Sequence, residues 1–192
     1  MFTEKRFTIP TLVGISQKNI DEHLKLYAGY VKHANLIQDK ITELQKNESD
    51  NAYIISELRR RFGFEFCGMR NHEYFFTQFE GSAVACNTES TLYKIICETW
   101  GSFENWKSEF TALALTRGVG WAMLYYDRET KSLLHAWVDE QHLGQLATCD
   151  IIFALDMWEH AFVYDYPTSE KKKYIEDFFE NLNWSVVESR FN

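Results

Sequence analysis

Proline is nearly absent from this chain: Pro10 and Pro167 are its only two in 192 residues. The long stretch between them therefore holds no residue that must break a helix. Cysteine is sparse too. Cys67, Cys86, Cys97 and Cys149 are widely spaced and form no C-x-x-C pair, which argues against a zinc clip or a thioredoxin-type motif. Long apolar runs are missing: the longest clear one, Ile151 to Leu155, is far too short to cross a bilayer. Positive charge is in deficit. Twenty Lys plus Arg against 28 Asp plus Glu leave a net charge of -8, which makes nucleic acid a poor partner. An anionic substrate would need a local positive field that outweighs this average. Met1 to Pro10 carries charges and no apolar stretch, so no signal peptide is expected. Free thiols in a reducing cytoplasm are the simplest expectation.

What is present points to a folded chain. Hydrophobic residues make up 45% and charged residues 25%. Aromatics reach 16%, enough to wall a dry pocket or simply to fill a core. Ser16 can cap a helix from about Gln17 to about Lys46, with an apolar stripe of Ile20, Leu24, Tyr27, Val31 and Ala34 that also contains His23. The polar segment Lys46 to Asn51 predicts a turn between antiparallel helices. A second helix is expected from near Ala52 to about Phe79, with a break possible at Gly63; it carries His72 among Met69, Phe75 and Phe76. The pattern stops around Glu80 to Ser82.

Shorter helices are predicted near Ser90 to Thr99 and Phe103 to Thr116. The period then changes to that of strands at Trp121 to Tyr126, Leu133 to Val138 and Ile151 to Leu155, with Asp127 to Lys131 as a hairpin turn. Helical patterning returns from Trp158, with a long helix near Ser169 to Asn181. The expectation is an α+β fold: an antiparallel long-helix hairpin (residues 1–82), then a domain with a three-stranded antiparallel sheet and surrounding helices (residues 83–192).

The sharpest chemical cluster is Asp156-Met157-Trp158-Glu159-His160, directly after the last strand. A carboxylate four residues before an imidazole can offer oxygen and nitrogen to one metal, a mixture that suits iron, manganese or zinc. The same five residues also fit a helix-capping Asp and a hydrogen-bonded core His. His23 and His72 each lie on an apolar helix face, where a lone His is usually a satisfied core residue. Facing each other across a hairpin, with Asp156 and His160 beyond, they make a constellation. Three imidazoles and one carboxylate leave room for a solvent ligand.

The run Asp156-Met157-Trp158-Glu159-His160-Ala161 resembles the D-x-W-E-H-A signature of the iron/manganese superoxide dismutase family. Asn71-His72 with Phe75-Phe76 is similar to that family's N-H-x-x-F/Y-F/W segment. Gly101-Ser102-Phe103 with Trp106-Lys107 and Phe110, Gly118-Val119-Gly120-Trp121 and Asn183-Trp184 match further stretches, and Ile15-Ser16, Ile20-Asp21 and His23 match the first-ligand helix. The resemblance implies one manganese or iron ion per chain, placed between the two domains and held by His23, His72, Asp156 and His160. It implies dismutation of superoxide to dioxygen and hydrogen peroxide by alternating reduction and oxidation of that metal.

It also implies a glutamine beside the solvent ligand. Gly68 stands where iron-type members supply it, and Gln141 stands where manganese-type members do, a weak lean to manganese. His142 is adjacent, and a one-residue slip would exchange the two. Tyr27 at the substrate channel, Trp158 in the aromatic wall, and Glu159, which in the family reaches His160 of the partner subunit, complete the implied site. The implied assembly is a homodimer.

Several positions depart from the family pattern. Tyr27 and Val31 occupy channel places usually held by His and Tyr; Tyr30 is one residue from the second of these. Val163 replaces a Tyr that bonds across the dimer, Arg70 and Met123 replace Trp, and Glu170 to Tyr174 replaces a stretch carrying a channel Arg. Two other readings use the same ligands: a divergent member that binds metal and dismutates weakly, and a different mononuclear oxidoreductase. A hydrolytic zinc enzyme fits least, because no general base is evident.

Overall fold

The computed structural model describes Met1–Phe191. Its first half is a pair of long helices, α1 (Gln17–Leu44) and α2 (Glu48–Thr77), joined by a single 3-10 turn at Gln45–Asn47. The Ser16 hydroxyl accepts the Asn19 amide at 3.2 Å and starts α1. Ile20, His23, Tyr27, Val31, Ala34 and Ile37 then recur every three or four residues and are all buried. The turn is shorter than the polar run Lys46 to Asn51 suggests. Glu48 and Asp50 lie in the first turn of α2, where carboxylates favour the positive end of the helix dipole, so the polar residues join the helix. Nor does α2 break at Gly63. Glycine costs a helix only about 1 kcal/mol relative to Ala and keeps its N–H donor.

Helices α3 (Thr91–Trp100) and α4 (Phe103–Ala114) follow, capped by the hydroxyls of Ser90 and Ser102. Then come three strands, β1 (Gly120–Asp127), β2 (Ser132–Asp139) and β3 (Cys149–Asp156), all antiparallel in the order β2-β1-β3. The chain ends with the short α5 (Glu159–Phe162), α6 (Lys171–Glu180) and α7 (Trp184–Ser189). The central strand β1 is buried from Gly120 to Tyr125, so it is covered on both faces. Its register sets Trp121 opposite Asp156.

Two devices join the halves. The Gln78 side chain, just past α2, donates to the Ala154 carbonyl at 2.8 Å and accepts the Ala154 amide at 2.9 Å, extending the hydrogen-bond pattern of β3. On the other side, the Phe75 and Phe79 rings pack on Phe178 at 5.6 and 5.3 Å and so meet the aromatic core of Trp106, Phe110, Phe153, Phe179 and Trp184 that packs the later helices against the sheet. The entry of the chain into α1 is pinned from the far end of the sequence. Asn181 exchanges two hydrogen bonds of 2.8 Å with the Val13 backbone, and Asp165 accepts the Ser16 amide at 2.8 Å. This fixes the rotation of α1, and with it the direction in which His23 points.

Candidate metal centre

Four side chains from four places in the chain meet beneath the sheet. His23 comes from α1, His72 from α2, Asp156 from the last residue of β3 and His160 from α5. Their ligand atoms all lie within 4.8 Å of one another. One Asp156 oxygen, Oδ2, is 3.1 Å from His23 Nε2, 3.2 Å from His160 Nε2 and 3.5 Å from His72 Nε2. His23, His72 and Asp156 are essentially inaccessible, while a fifth of the His160 side chain is exposed.

The surroundings orient each donor. His72 Nδ1 sits 2.6 Å from the Gly68 carbonyl, one helical turn back. A carbonyl only accepts, so the proton is on Nδ1 and the Nε2 lone pair faces the cluster. That Nε2 is buried and has no hydrogen-bond partner among the described residues. The other Asp156 oxygen, Oδ1, accepts the Trp158 amide at 2.8 Å, and the Tyr174 hydroxyl donates to the Asp156 carbonyl at 3.0 Å. Orphaned imidazole nitrogen aimed at a shared point, with one carboxylate oxygen among three such rings, is a donor set that fits iron or manganese.

The electrostatics agree with neutral His23 and His72 beside an ionised carboxylate. Burial pushes His72 down to about 3, with the His23 ring adding to the effect. Burial also lowers His23, against the pull of Asp156. For Asp156 burial favours the neutral acid, yet His160 and His23 outweigh it and hold the group below the usual carboxylate range.

A second layer lies against the cluster. Trp121 Nε1 donates to Gln141 Oε1 at 2.9 Å, and Gln141 Nε2 donates to the Tyr30 hydroxyl at 3.0 Å. Asn71, next to His72, donates to the Gln141 carbonyl at 2.9 Å. Gln141 is fully buried. The neighbouring His142 instead faces the Phe64 ring, with centroids 5.8 Å apart. The Tyr30 ring stands 5.1 Å from that of His72 and also covers Gly68, where an added Cβ would come within 2.6 Å of it. Gly68 is thus the residue that admits Tyr30. Trp158 stacks on His160 at 5.6 Å and donates its indole N–H to the Glu140 carbonyl at 2.9 Å.

Other residues singled out in the sequence lie elsewhere. Tyr27 is buried, with its hydroxyl accepting the Lys5 amide at 2.8 Å and donating to Glu73 at 3.3 Å. Glu159 is exposed at the start of α5. Lys173 pairs with Asp177, and Lys171 lies over the Phe162 ring. His33, His135 and His142 are outside the cluster. Sequence reasoning assigned no role to Trp121 or Asn71. Their signals were in plain view: the G-x-G-W stretch and the residue before a candidate ligand.

An α+β scaffold that brings three imidazoles and a carboxylate to one buried point defines a mononuclear metalloprotein with redox-type ligands. Residues 88–190 match the profile described as iron/manganese superoxide dismutases, C-terminal domain. The chain is 33% identical to the superoxide dismutase (Fe) of Methanothermobacter thermautotrophicus, over 88% of this chain and 82% of that one. It is 34% identical to the superoxide dismutase (Mn/Fe) of Propionibacterium freudenreichii subsp. shermanii, over 88% and 84%. To the mitochondrial superoxide dismutase (Mn) of Glossina morsitans morsitans it is 30% identical, over 94% and 83%. The chain belongs to the iron/manganese superoxide dismutase family.

Two outcomes follow from this geometry. Gly68→Ala forces the Tyr30 ring aside; overpacking of about 1–3 kcal/mol, offset by about 1 kcal/mol of helix propensity, should leave a net loss of up to about 2 kcal/mol in chemical denaturation. A gain of about 1 kcal/mol, the propensity effect alone, would show that Tyr30 does not rest on Gly68. In the metal-free protein, stability should be intact above pH 6.5 and fall as the pH drops toward 3, because the unfolded chain binds a proton that folded His72 refuses. Asp156 adds a loss of the same sign below its ordinary value of 3.8. Thermal midpoints across this range check it; a midpoint that rises on acidification contradicts neutral rings.

Proposed function

We propose that His23, His72, Asp156 and His160 are the ligands of a single iron or manganese ion set between residues 1–82 and 83–192. The activity is that of a superoxide dismutase. The observation that carries the assignment is the convergence of these four donors on one buried point. When bound, the metal supplies the one-electron exchange by which one superoxide becomes dioxygen and the next becomes hydrogen peroxide.

The chain's own residues do the rest. Neutral imidazoles and one carboxylate leave a trivalent or divalent cation with net positive charge, which offsets the chain's overall -8 at the place where an anion must arrive. Trp121 and Gln141 form a hydrogen-bonded line that ends on the Tyr30 oxygen. Since Tyr30 accepts from Gln141, its own O–H is free to donate. Burial raises the Tyr30 pKa, so the hydroxyl keeps its proton at neutral pH. A cavity of about 350 Å³ is lined by Tyr30, Trp158, Lys25, Arg61, Phe64 and Glu65. It is the route for superoxide, and Tyr30 stands where protons enter the second half-reaction. Trp158 shields His160 from water. Tyr27, committed to Lys5 and Glu73, holds α1 in place one turn beyond His23 and acts as a positioning residue.

Gly68 together with Gln141 favours manganese over iron. Exposed Val163 and Tyr164 flank Glu159 and the open edge of His160, an arrangement suited to a homodimer in which Glu159 reaches the second copy's His160. No described helix is long and apolar enough to cross a membrane. The four free cysteines suit a cytoplasmic location.

Elemental analysis and superoxide-decay assays on one preparation test the assignment. Asp156→Ala and His72→Ala should lose both metal and activity; full activity in either variant contradicts the ligand set. Gln141→Ala should keep its metal, lower the rate about 10–100-fold and shift the reduction potential. An unchanged potential would remove Gln141 from its role.

A further inference from the structure

Another cavity, of about 380 Å³, lies over a different face of α2 from the one that carries His72. Arg70, Glu73, Tyr74 and Thr77 share that face at helical spacing, and Lys5 and Arg190 close it. None of these residues belongs to the metal cluster.

The charges in it do not balance. Glu73 is the one carboxylate in the lining and is almost fully buried. Its Oε2 takes both Lys5 Nζ at 2.9 Å and Arg70 Nη1 at 2.7 Å, so one negative charge faces two positive ones. At the other end, Arg190 is tied down by four hydrogen bonds, each to a neutral acceptor. Nη1 reaches Gln78 Oε1 and the Ile152 carbonyl, both at 3.1 Å. Nη2 reaches the Tyr74 carbonyl at 2.8 Å and Thr77 Oγ1 at 2.6 Å. Among the described residues no carboxylate contacts this guanidinium, and burial pushes its pKa down to about 10. A partly buried cation held rigidly with no counter-ion among the described residues is costly unless an anion completes it. The lining therefore carries three cations against one carboxylate, in a chain whose net charge is -8.

We propose that this cavity is a binding site for a phosphate group, gripped by Lys5 and Arg70, with Arg190 adding positive charge behind it. Two surplus positive charges match a dianion; Lys5 and Arg70 keep donors for its oxygens, while Arg190, whose four Nη hydrogens are already engaged, acts through its charge. The volume lies within the range of small-molecule sites, so the group can be free or carried on a small organic body.

Titration calorimetry on the metal-loaded protein tests this, using sodium orthophosphate in one arm, adenosine monophosphate in another, and sodium chloride at matched ionic strength as control. Saturable binding of one orthophosphate or one adenosine monophosphate per chain is expected. Arg70→Gln and Lys5→Gln should each weaken it about tenfold or more, as loss of a charged hydrogen-bond partner does, while leaving superoxide decay at the wild-type rate. Equal affinity for the two ligands identifies the phosphate group as what is read. Tighter binding of adenosine monophosphate adds contacts to the organic body. The proposal is overturned if neither ligand binds beyond the chloride control. It is also overturned if Arg70→Gln and Lys5→Gln leave binding intact; loss of binding in Arg61→Gln would then place the ligand in the cavity before Tyr30.

Discussion

Asp156 holds one carboxylate oxygen 3.1 to 3.5 Å from three imidazole nitrogens at a point closed to solvent. Burying an ionised carboxylate among neutral rings is expensive unless a cation sits among them. The rest of the structure can be read as the means of enforcing that arrangement. The carboxylate stands at the end of β3, opposite Trp121 of the central strand, and its backbone carbonyl is held by Tyr174. The rings arrive from three helices whose positions are set independently: α1 by Asn181 and Asp165, α2 by Gln78 on Ala154, and α5 by its direct connection to β3. The ties on α1 and α2 are hydrogen bonds to backbone in buried or partly buried places, where movement would leave polar groups unsatisfied.

The layer behind the four converging side chains follows from a smaller constraint. Gly68 lacks the Cβ that would collide with Tyr30, so the Tyr30 ring can lie against His72 and bring its hydroxyl to Gln141. A glutamine side chain at position 68 would need the space Tyr30 now fills. The source of the amide at this site and the position of the tyrosine are therefore linked choices. Tyr30 reaches this place from a position one residue earlier in α1 than the family pattern predicts. Tyr27 and Val31 remain on the same buried stripe, and Tyr27 turns its hydroxyl to the N-terminal segment instead. The family's departures at Tyr27 and Val31 thus coexist with a tyrosine hydroxyl beside the glutamine.

Charge is distributed unevenly over the molecule. Of the two cavities along α2, the one before Tyr30 has its cations paired, Arg61 with Glu65 and Lys25 with Glu22, while the other sets three cations against the single carboxylate of Glu73. In the one before Tyr30, Arg61 is paired with Glu65 and rests on the Phe64 ring at 3.7 Å. In the other, Arg190 has only neutral partners. Electrostatic averages over the chain conceal both.

The sequence by itself determined the element types, the α+β order and the four metal-binding candidates. Hydrophobic period, Ser caps and the tight Asp156-to-His160 spacing are local signals, and helices and strands respond first to local pattern. It left open whether Gln141 or His142 faces the cluster, because adjacent residues on a turn have no period to separate them. It also left Tyr30 in doubt, since counting along a helix gives a direction only after the helix has been rotated by its neighbours. Those matters, together with the pairing of Trp121 with Gln141 and the meeting of Lys5, Arg70 and Arg190 in one cavity, were decided by tertiary packing. They depend on contacts between residues far apart in the chain, which only the assembled core can align.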